Sequence, residues 1–298
     1  MNLKKSFAVL AVSLLCATAA SATLQIGIPD DVTNGARGIK LLEKAGLIKV
    51  DPAAGFVPEL KDVTEYLYDI EIVPTQANTL VSTLDDFAGS TINSSFSVPA
   101  GLVPSRDALL IEKQDGSGEN PFVNVIVAQV AKKDDPDYKK IVAAYNTPVV
   151  AQYILEKFKE ARFPAFAYDE KAPRTEGLVE KVDNYQSSKK GKRIIRLGVC
   201  GSMDGQWDAV QMILDEQGAN LYIDRIEFGA YNLPNEALHT GDLDLNAFQH
   251  KAYLAKDAGK NGYDIVAIGD TVIAPLSLFS KQFKTLDELK AAAGPAKK

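Results

Sequence analysis

Cysteine and histidine are scarce in this sequence, with two of each among 298 residues. Cys16 lies in an N-terminal apolar stretch, which leaves Cys200 as the single thiol of the remaining chain, without a partner for an internal disulfide. His239, His250 and Cys200 do not have the spacing of metal ligands, so a tetrahedral metal site is not expected. We expect neither a metal nor a cofactor.

Several motifs that would indicate catalysis or nucleic-acid binding are also missing. The sequence contains no HExxH, GxSxG, Walker or GxGxxG pattern, and it has no block of basic residues. With 33 Lys and Arg against 39 Asp and Glu, the net charge is −6, which disfavours nucleic acid and anionic lipid as partners. Beyond residue 22, no apolar run is long enough to cross a membrane.

The first 22 residues have the pattern of a secretory signal peptide. Lys4 and Lys5 form a basic start, Phe7 to Leu15 an apolar stretch, and the small residues at positions 20–22 suit cleavage before Thr23. The sequence therefore predicts an exported, periplasmic protein.

Cys16 leaves a second interpretation open. A lipoprotein would carry an acylated cysteine at its mature end, and Cys16 follows the apolar stretch. The preceding residue is Leu15, whereas that processing needs Gly, Ala or Ser. Lipidation at Cys16, with membrane anchoring, remains the alternative to simple cleavage.

Strand and helix patterns alternate along the rest of the chain. The strands are predicted at 24–28, 70–73, 90–93, 122–130, 193–199, 221–228 and 263–269. The helices are predicted at 34–45, 80–86, after Asp135-Pro136 and Thr147-Pro148, and at 206–217, 234–239 and 247–256. This order predicts an α/β protein with largely parallel sheets. Residues 168–192 are polar and lack apolar periodicity, which predicts a flexible tether.

Few residues suggest chemistry on their own. Arg37 lies in the first turn of a predicted helix, where it is either a solvated cation or, together with the helix N-terminus, a clamp for a carboxylate. Tyr231, Asn246, Phe248 and His250 lie in segments whose loops can face a cleft. Cys200 follows a strand and is either an inert buried thiol or a nucleophile that needs a base such as His250. A small hydrolase or transferase thus remains a rival hypothesis.

Two motifs carry a specific resemblance. The sequence reads LPNEAL at 233–238 and GDLDLNAFQH at 241–250. These strings, with further matches at 28–37, 44–48, 92–93, 100–102, 107–109, 123–127 and 280–289, resemble the NlpA/MetQ family, the methionine-binding components of ABC importers. The resemblance covers nearly all of the chain outside the signal segment and residues 168–192.

The resemblance implies a two-lobed fold of the periplasmic-binding-protein type (type II) that binds a ligand between its lobes without catalysis. It implies that Arg37 binds the ligand carboxylate, and that the other ligand-binding positions are Asn93, Asn124, Tyr231, Phe248 and His250, with Asn34 and Asn246 as weaker candidates. The expected partners are L-methionine and the permease of an ABC importer, and a monomer is expected. Asp30, Ser95 and Ala274 depart from the family pattern, which leaves another amino acid or a methionine-containing dipeptide as alternative ligands.

The order of the two halves is reversed relative to that family. There, the stretch similar to 193–289 comes first and the stretch similar to 24–166 follows, so the chain resembles a circular permutant. We expect one lobe at 24–120 and a second at 121–298, with a single covalent crossing between them.

Overall fold

The computed structural model describes residues 22–113 and 120–297. The predicted signal segment 1–22, including Cys16, lies outside the described residues except for Ala22. In the described part, every helix is too short or too polar to cross a lipid bilayer.

Strands and helices alternate through most of the described chain. The strands are β1 Leu24–Pro29, β2 Ile48–Val50, β3 Val63–Tyr66, β4 Ile70–Thr75, β5 Gly89–Asn93, β6 Ala108–Ile111, β7 Val125–Gln129, β8 Phe163–Pro164, β9 Arg193–Cys200, β10 Leu221–Phe228, β11 Leu245–Asn246, β12 Ile265–Asp270, β13 Val272–Ile273 and β14 Leu276–Phe279. The helices are α1 Val32–Lys44, α2 Ser94–Ser97, α3 Pro104–Asp107, α4 Pro136–Tyr145, α5 Pro148–Lys157, α6 Leu178–Asp183, α7 Gln206–Glu216, α8 Pro234–Thr240, α9 Lys251–Asn261 and α10 Leu286–Ala293.

The first lobe is built on a sheet with the strand order β4-β1-β5-β14-β6. Strand β1 pairs in parallel with β4 and β5, while β14 pairs antiparallel with β5 and β6. Helices α1 and α10 contribute Leu42 and Leu289 to its core, where both side chains are fully buried. Burial of these apolar faces holds the helices against the sheet.

The position of β14 changes the predicted lobe boundaries. Residues 276–279 come after the strands of the second lobe, yet they lie inside the first sheet, and α10 packs there as well. The chain therefore crosses between the lobes twice, once between β6 and β7 and once between β13 and β14. The prediction of a second lobe at 121–298, joined by a single crossing, differs from this arrangement. Strand β14 lies in the first lobe because it supplies backbone partners to β5 and β6.

The second lobe has the strand order β10-β9-β11-β7-β12. Strands β9, β10 and β11 are parallel, and β7 runs antiparallel to its two neighbours. Its core contains Tyr145, Tyr153 and Trp207, all nearly fully buried. The helices α4 and α5 begin as predicted, with Asp135 and Thr147 capping the first turn and proline at the first helical position.

The segment predicted as a flexible tether is packed against the second lobe. Residues 178–183 form α6, and its Leu178 and Val182 are buried in the core. Farther along, the hydroxyls of Tyr185 and Ser187 donate to Asp215 at 2.8 Å and 2.6 Å. The prediction of a tether was wrong for 178–187, because two apolar residues four apart suffice to anchor a short helix.

Candidate functional site

A cleft lies between the two lobes. Most of its lining follows the carboxyl ends of strands β1, β5, β10 and β11, where loops and helix starts present side chains to a common space. The first lobe and the crossing to it contribute Asn34, Arg37, Asn93, Ser94, Ser95 and Ala274. The second lobe contributes Asn124, Tyr231, Phe248, Gln249, His250 and Tyr253.

The structure thus brings together seven of the eight predicted site residues, and Asn246 is the exception. The Asn246 amide donates to Asn235 at 3.0 Å and accepts from Gln249 at 3.0 Å, in a fully buried network behind the cleft wall. Asn246 therefore orients Gln249, which does line the cleft.

Arg37 is buried, with 4% of its surface exposed, and its guanidinium is already paired with a carboxylate. Its Nε donates to Glu112 Oε1 at 3.1 Å and its Nη2 to Glu112 Oε2 at 2.5 Å. Nη2 also donates to the Ala274 carbonyl at 2.9 Å, and Nη1 donates to Asn34 at 3.1 Å. These bonds use four of the five guanidinium N–H groups, so Arg37 has one left for a ligand.

The N-terminus of α1 is likewise occupied. Asp31 caps the helix, and its carboxylate accepts from the Asn34 backbone at 2.9 Å. The two parts of the predicted carboxylate clamp, the helix amides and the guanidinium fork, are therefore each bonded to an acidic side chain of the protein. That role of Arg37 remains a prediction.

Asn34 connects the two lobes. Its Oδ1 accepts from Arg37 and from Asn93 Nδ2, the latter at 3.0 Å, and lies 3.4 Å from His250 Nε2 in the opposite lobe. His250 Nδ1 accepts from the Tyr253 backbone at 3.1 Å, which caps α9. Burial, reinforced by the nearby Arg37, holds the pKa of His250 well below its usual value. His250 is therefore neutral, with its proton on Nε2.

The helix predicted at 247–256 begins later than expected, because His250 caps it. Residues 245–246 pair with β9 and β7, and His250 is the N-cap, so the helix starts at Lys251. This arrangement turns Phe248 and His250 into loop residues that face the cleft.

Aromatic rings form the apolar wall. Tyr231 stacks on Phe248 with ring centroids 5.9 Å apart, and Tyr253 meets both rings edge-on. Phe96 of the first lobe approaches Tyr231 at 5.0 Å. Burial raises the pKa of Tyr231, so its hydroxyl stays neutral. The sequence pointed to Tyr231 and Phe248 but missed Tyr253, whose position three residues after His250 would have indicated the same helix face.

Two polar atoms at the base of the cleft have no hydrogen-bond partner in the described part of the chain. They are Asn93 Oδ1 and Ser94 Oγ, and both are buried. Buried acceptors without a partner are costly and uncommon in folded proteins. Both atoms belong to residues of the cleft lining.

Cys200 does not form a catalytic pair with His250. The thiol is buried, its Sγ faces the Ala230 carbonyl at 3.5 Å, and burial raises its pKa. Both ring nitrogens of His250 face other groups. A neutral thiol without a base is a poor nucleophile. Within residues 22–113 and 120–297, no three potential metal-ligating side chains cluster either.

Two α/β lobes around a polar and aromatic cleft define the periplasmic-binding-protein class of fold. The profile of the NlpA lipoprotein family matches residues 20–166 and 195–294, most of the chain, so this protein belongs to the NlpA lipoprotein family.

Individual relatives match about half of the chain. The D-methionine-binding lipoprotein MetQ of Escherichia coli (strain K12) is 37% identical over 128 residues, which make up 42% of this chain and 46% of that protein. Outer membrane lipoprotein 3 of Mannheimia haemolytica is 38% identical over 136 residues, or 46% and 50% of the two chains. The chain spans about half the length of the curated relatives it matches.

Among solved structures, a nutrient binding protein from Burkholderia cenocepacia bound to methionine is 30% identical. It has a TM-score of 0.43 and covers 46% of this chain and 57% of its own. These names describe lipoproteins and binding proteins rather than enzymes.

Proposed function

We propose that this chain is an exported solute-binding protein that takes an amino acid, with methionine as the expected ligand, into the inter-lobe cleft. It would deliver that ligand to the permease of an ABC importer. The observation that carries the proposal is the buried, unpartnered Asn93 Oδ1 opposite an aromatic wall in a cleft shared by both lobes. The name of the Escherichia coli relative, a D-methionine-binding lipoprotein, supports methionine.

The geometry suits both ends of such a ligand. An ammonium group can donate to Asn93 Oδ1 and Ser94 Oγ, which need donors. A thioether side chain can lie against Tyr231, Phe248 and Tyr253, because sulfur packs favourably near ring edges. The bond between Asn34 and His250 joins the lobes at the cleft, so closure of the lobes around the ligand is the expected mechanism.

Titration calorimetry of refolded protein, stripped of any retained ligand, against L- and D-methionine tests the proposal. We expect saturable one-to-one binding, weakened about tenfold to a hundredfold in Asn93→Ala, since a hydrogen bond to a charged group contributes about 1.5–3 kcal/mol. Asn184→Ala, an exposed position at the end of α6, is the matched control and leaves binding unchanged. If neither isomer gives heat, methionine is the wrong ligand, and a panel of other amino acids and methionine-containing dipeptides decides what replaces it.

We also propose that the chain is a circular permutant of its family. Residues from both ends of the described chain bond to Asp69. Its carbonyl accepts from Leu24 at 3.1 Å, its backbone N–H donates to the Gly294 carbonyl at 3.1 Å, and its carboxylate pairs with Lys297 at 2.7 Å. The family profile matches two stretches separated at 167–194, around the predicted junction of the old ends. Adjacent ends are what a permutation requires.

The order can be reversed by design. A chain carrying residues 174–297, a short Gly-Ser linker and residues 23–173 keeps α6 whole and joins the ends beside Asp69. We expect the same unfolding midpoint within a few degrees and the same affinity for the ligand, measured by thermal unfolding and calorimetry. A chain opened inside β9, between Leu197 and Gly198, is the control that fails to fold. Failure of the first rearrangement as well would contradict the permutation.

A further inference from the structure

A second cavity adjoins the ligand cleft. It shares Ser95, Asn124, Phe248 and Ala274 with the cleft lining. Its deeper wall belongs to the second lobe and includes Arg162 and Trp207. The shared residues form the boundary between the two spaces, and two of them, Ala274 and Ser95, have small side chains.

Arg162 is a buried cation in this second cavity, with 7% of its surface exposed. Its Nη1 donates to the Met203 carbonyl and its Nη2 to Ser95 Oγ at 3.4 Å, while its Nε has no partner in the described part of the chain. The guanidinium also lies over the Phe158 ring, 5.3 Å from its centroid. Burial lowers the pKa of Arg162, which expresses the cost of desolvating the charge.

No carboxylate of the described residues lies within ion-pair distance of Arg162. Asp204 lines the same cavity and acts on Arg162 through space, but it pairs with Arg225 at 3.6 Å. The other buried arginine, Arg37, has its charge balanced by Glu112. One of the two cations next to the ligand space is thus neutralised by the protein, and the other is not.

We propose that the second cavity is a carboxylate subsite in which Arg162 binds the acid group of an extended ligand. The inference rests on the proposed function, since the ammonium group and apolar side chain of that ligand occupy the cleft. The carboxylate of a free amino acid stays next to its ammonium group, whereas one additional residue carries it up to about 3.6 Å farther along an extended chain. The ligand class is therefore a dipeptide with an apolar first residue and a free C-terminal carboxylate.

The energetics favour this assignment. An unpaired buried charge destabilises the fold, and a ligand carboxylate that reaches it gains a charge-assisted, two-pronged contact. In the cleft itself, the fork of Arg37 is already bonded to Glu112, so a ligand carboxylate gains less there.

Calorimetry with three probes tests the subsite: L-methionine, L-methionyl-glycine and L-methionyl-glycinamide, which lacks the acid charge. We expect the wild type to bind the acid at least about tenfold more tightly than the amide. Arg162→Met is expected to abolish that difference, and Arg162→Lys to restore part of it. Arg106→Met, at an exposed arginine, is the control that keeps the difference. In the absence of ligand, Arg162→Met should unfold at the same or a higher temperature.

Each other outcome decides between the two hypotheses. Equal affinity of the wild type for acid and amide, with L-methionine bound, overturns the subsite and leaves the proposed function intact. Binding of the acid that depends on Arg162, without binding of L-methionine, keeps the subsite and overturns the amino-acid ligand. Binding of none of the probes contradicts both. If Arg162→Met does not fold, the comparison of acid and amide in the wild type decides.

Discussion

Arg37→Met is expected to lower the free energy of unfolding by about 3–5 kcal/mol, since it removes the cation from a largely buried ion pair with Glu112. The side chains of Arg37 and Glu112 are only 3% and 17% exposed, and two N–H···O bonds join them. Arg37 also holds the Ala274 carbonyl and Asn34, so the variant loosens the crossing between the lobes and the cleft together. Binding of L-methionine should fall with stability.

A double-mutant cycle separates the ion pair from the other contacts of Arg37. Glu112→Gln alone leaves the buried guanidinium of Arg37 without a negative charge to balance it, whereas Arg37→Met with Glu112→Gln removes both charges. We expect the double variant to lose less stability than the two single losses added together, because paired groups are not independent. Denaturant unfolding of the four proteins gives the coupling free energy. Strictly additive losses would mean that the pair contributes nothing and that the damage comes from Asn34 and Ala274.

Sequence periodicity was a good guide to local structure where a pattern was long. The strand at 221–228 and the capped helices after Asp135 and Thr147 have the predicted type and place. Hydrophobic periodicity and capping are local properties, so the sequence carries them in full. The helix predicted at 80–86 shrinks to a 3-10 turn at 84–86, because a short apolar run alone does not fix a helix.

The site shows where such reasoning stops. Arg37 was singled out by its position in a helix, but its partner Glu112 lies 75 residues away at the end of an ordinary strand. The pairing of β14 with β5 and β6 was equally invisible, since a short strand of three apolar residues and one serine after a Pro does not indicate which sheet it joins. The burial of Arg162 was not predicted either, because an arginine is normally expected at the solvent-exposed surface. Tertiary contacts, rather than local preferences, decide these positions.

Removal of the C-terminal segment is expected to abolish folding of the first lobe. A chain that ends after Ala274 lacks β14, whose Leu276, Leu278 and Phe279 are fully buried between β5 and β6. It also lacks α10, and with it the buried Leu289. Strand β6 then loses its neighbour in the sheet, and β5 keeps only its pairing with β1, so backbone groups inside the sheet lose their hydrogen-bond partners.

A milder variant measures the same contribution in a chain that still folds. Leu278→Ala is expected to lower the free energy of unfolding by about 2–5 kcal/mol, because it opens a cavity at a fully buried position. Leu60→Ala, at a site 37% exposed, should change it by less than about 0.5 kcal/mol. Cooperative unfolding of a chain that ends after Ala274, with ligand binding retained, would mean that residues 24–112 form a lobe of their own and that one crossing suffices. Because β14 lies between β5 and β6 in the first sheet, we expect the opposite result: the first lobe folds only when the segment that follows the second lobe is present.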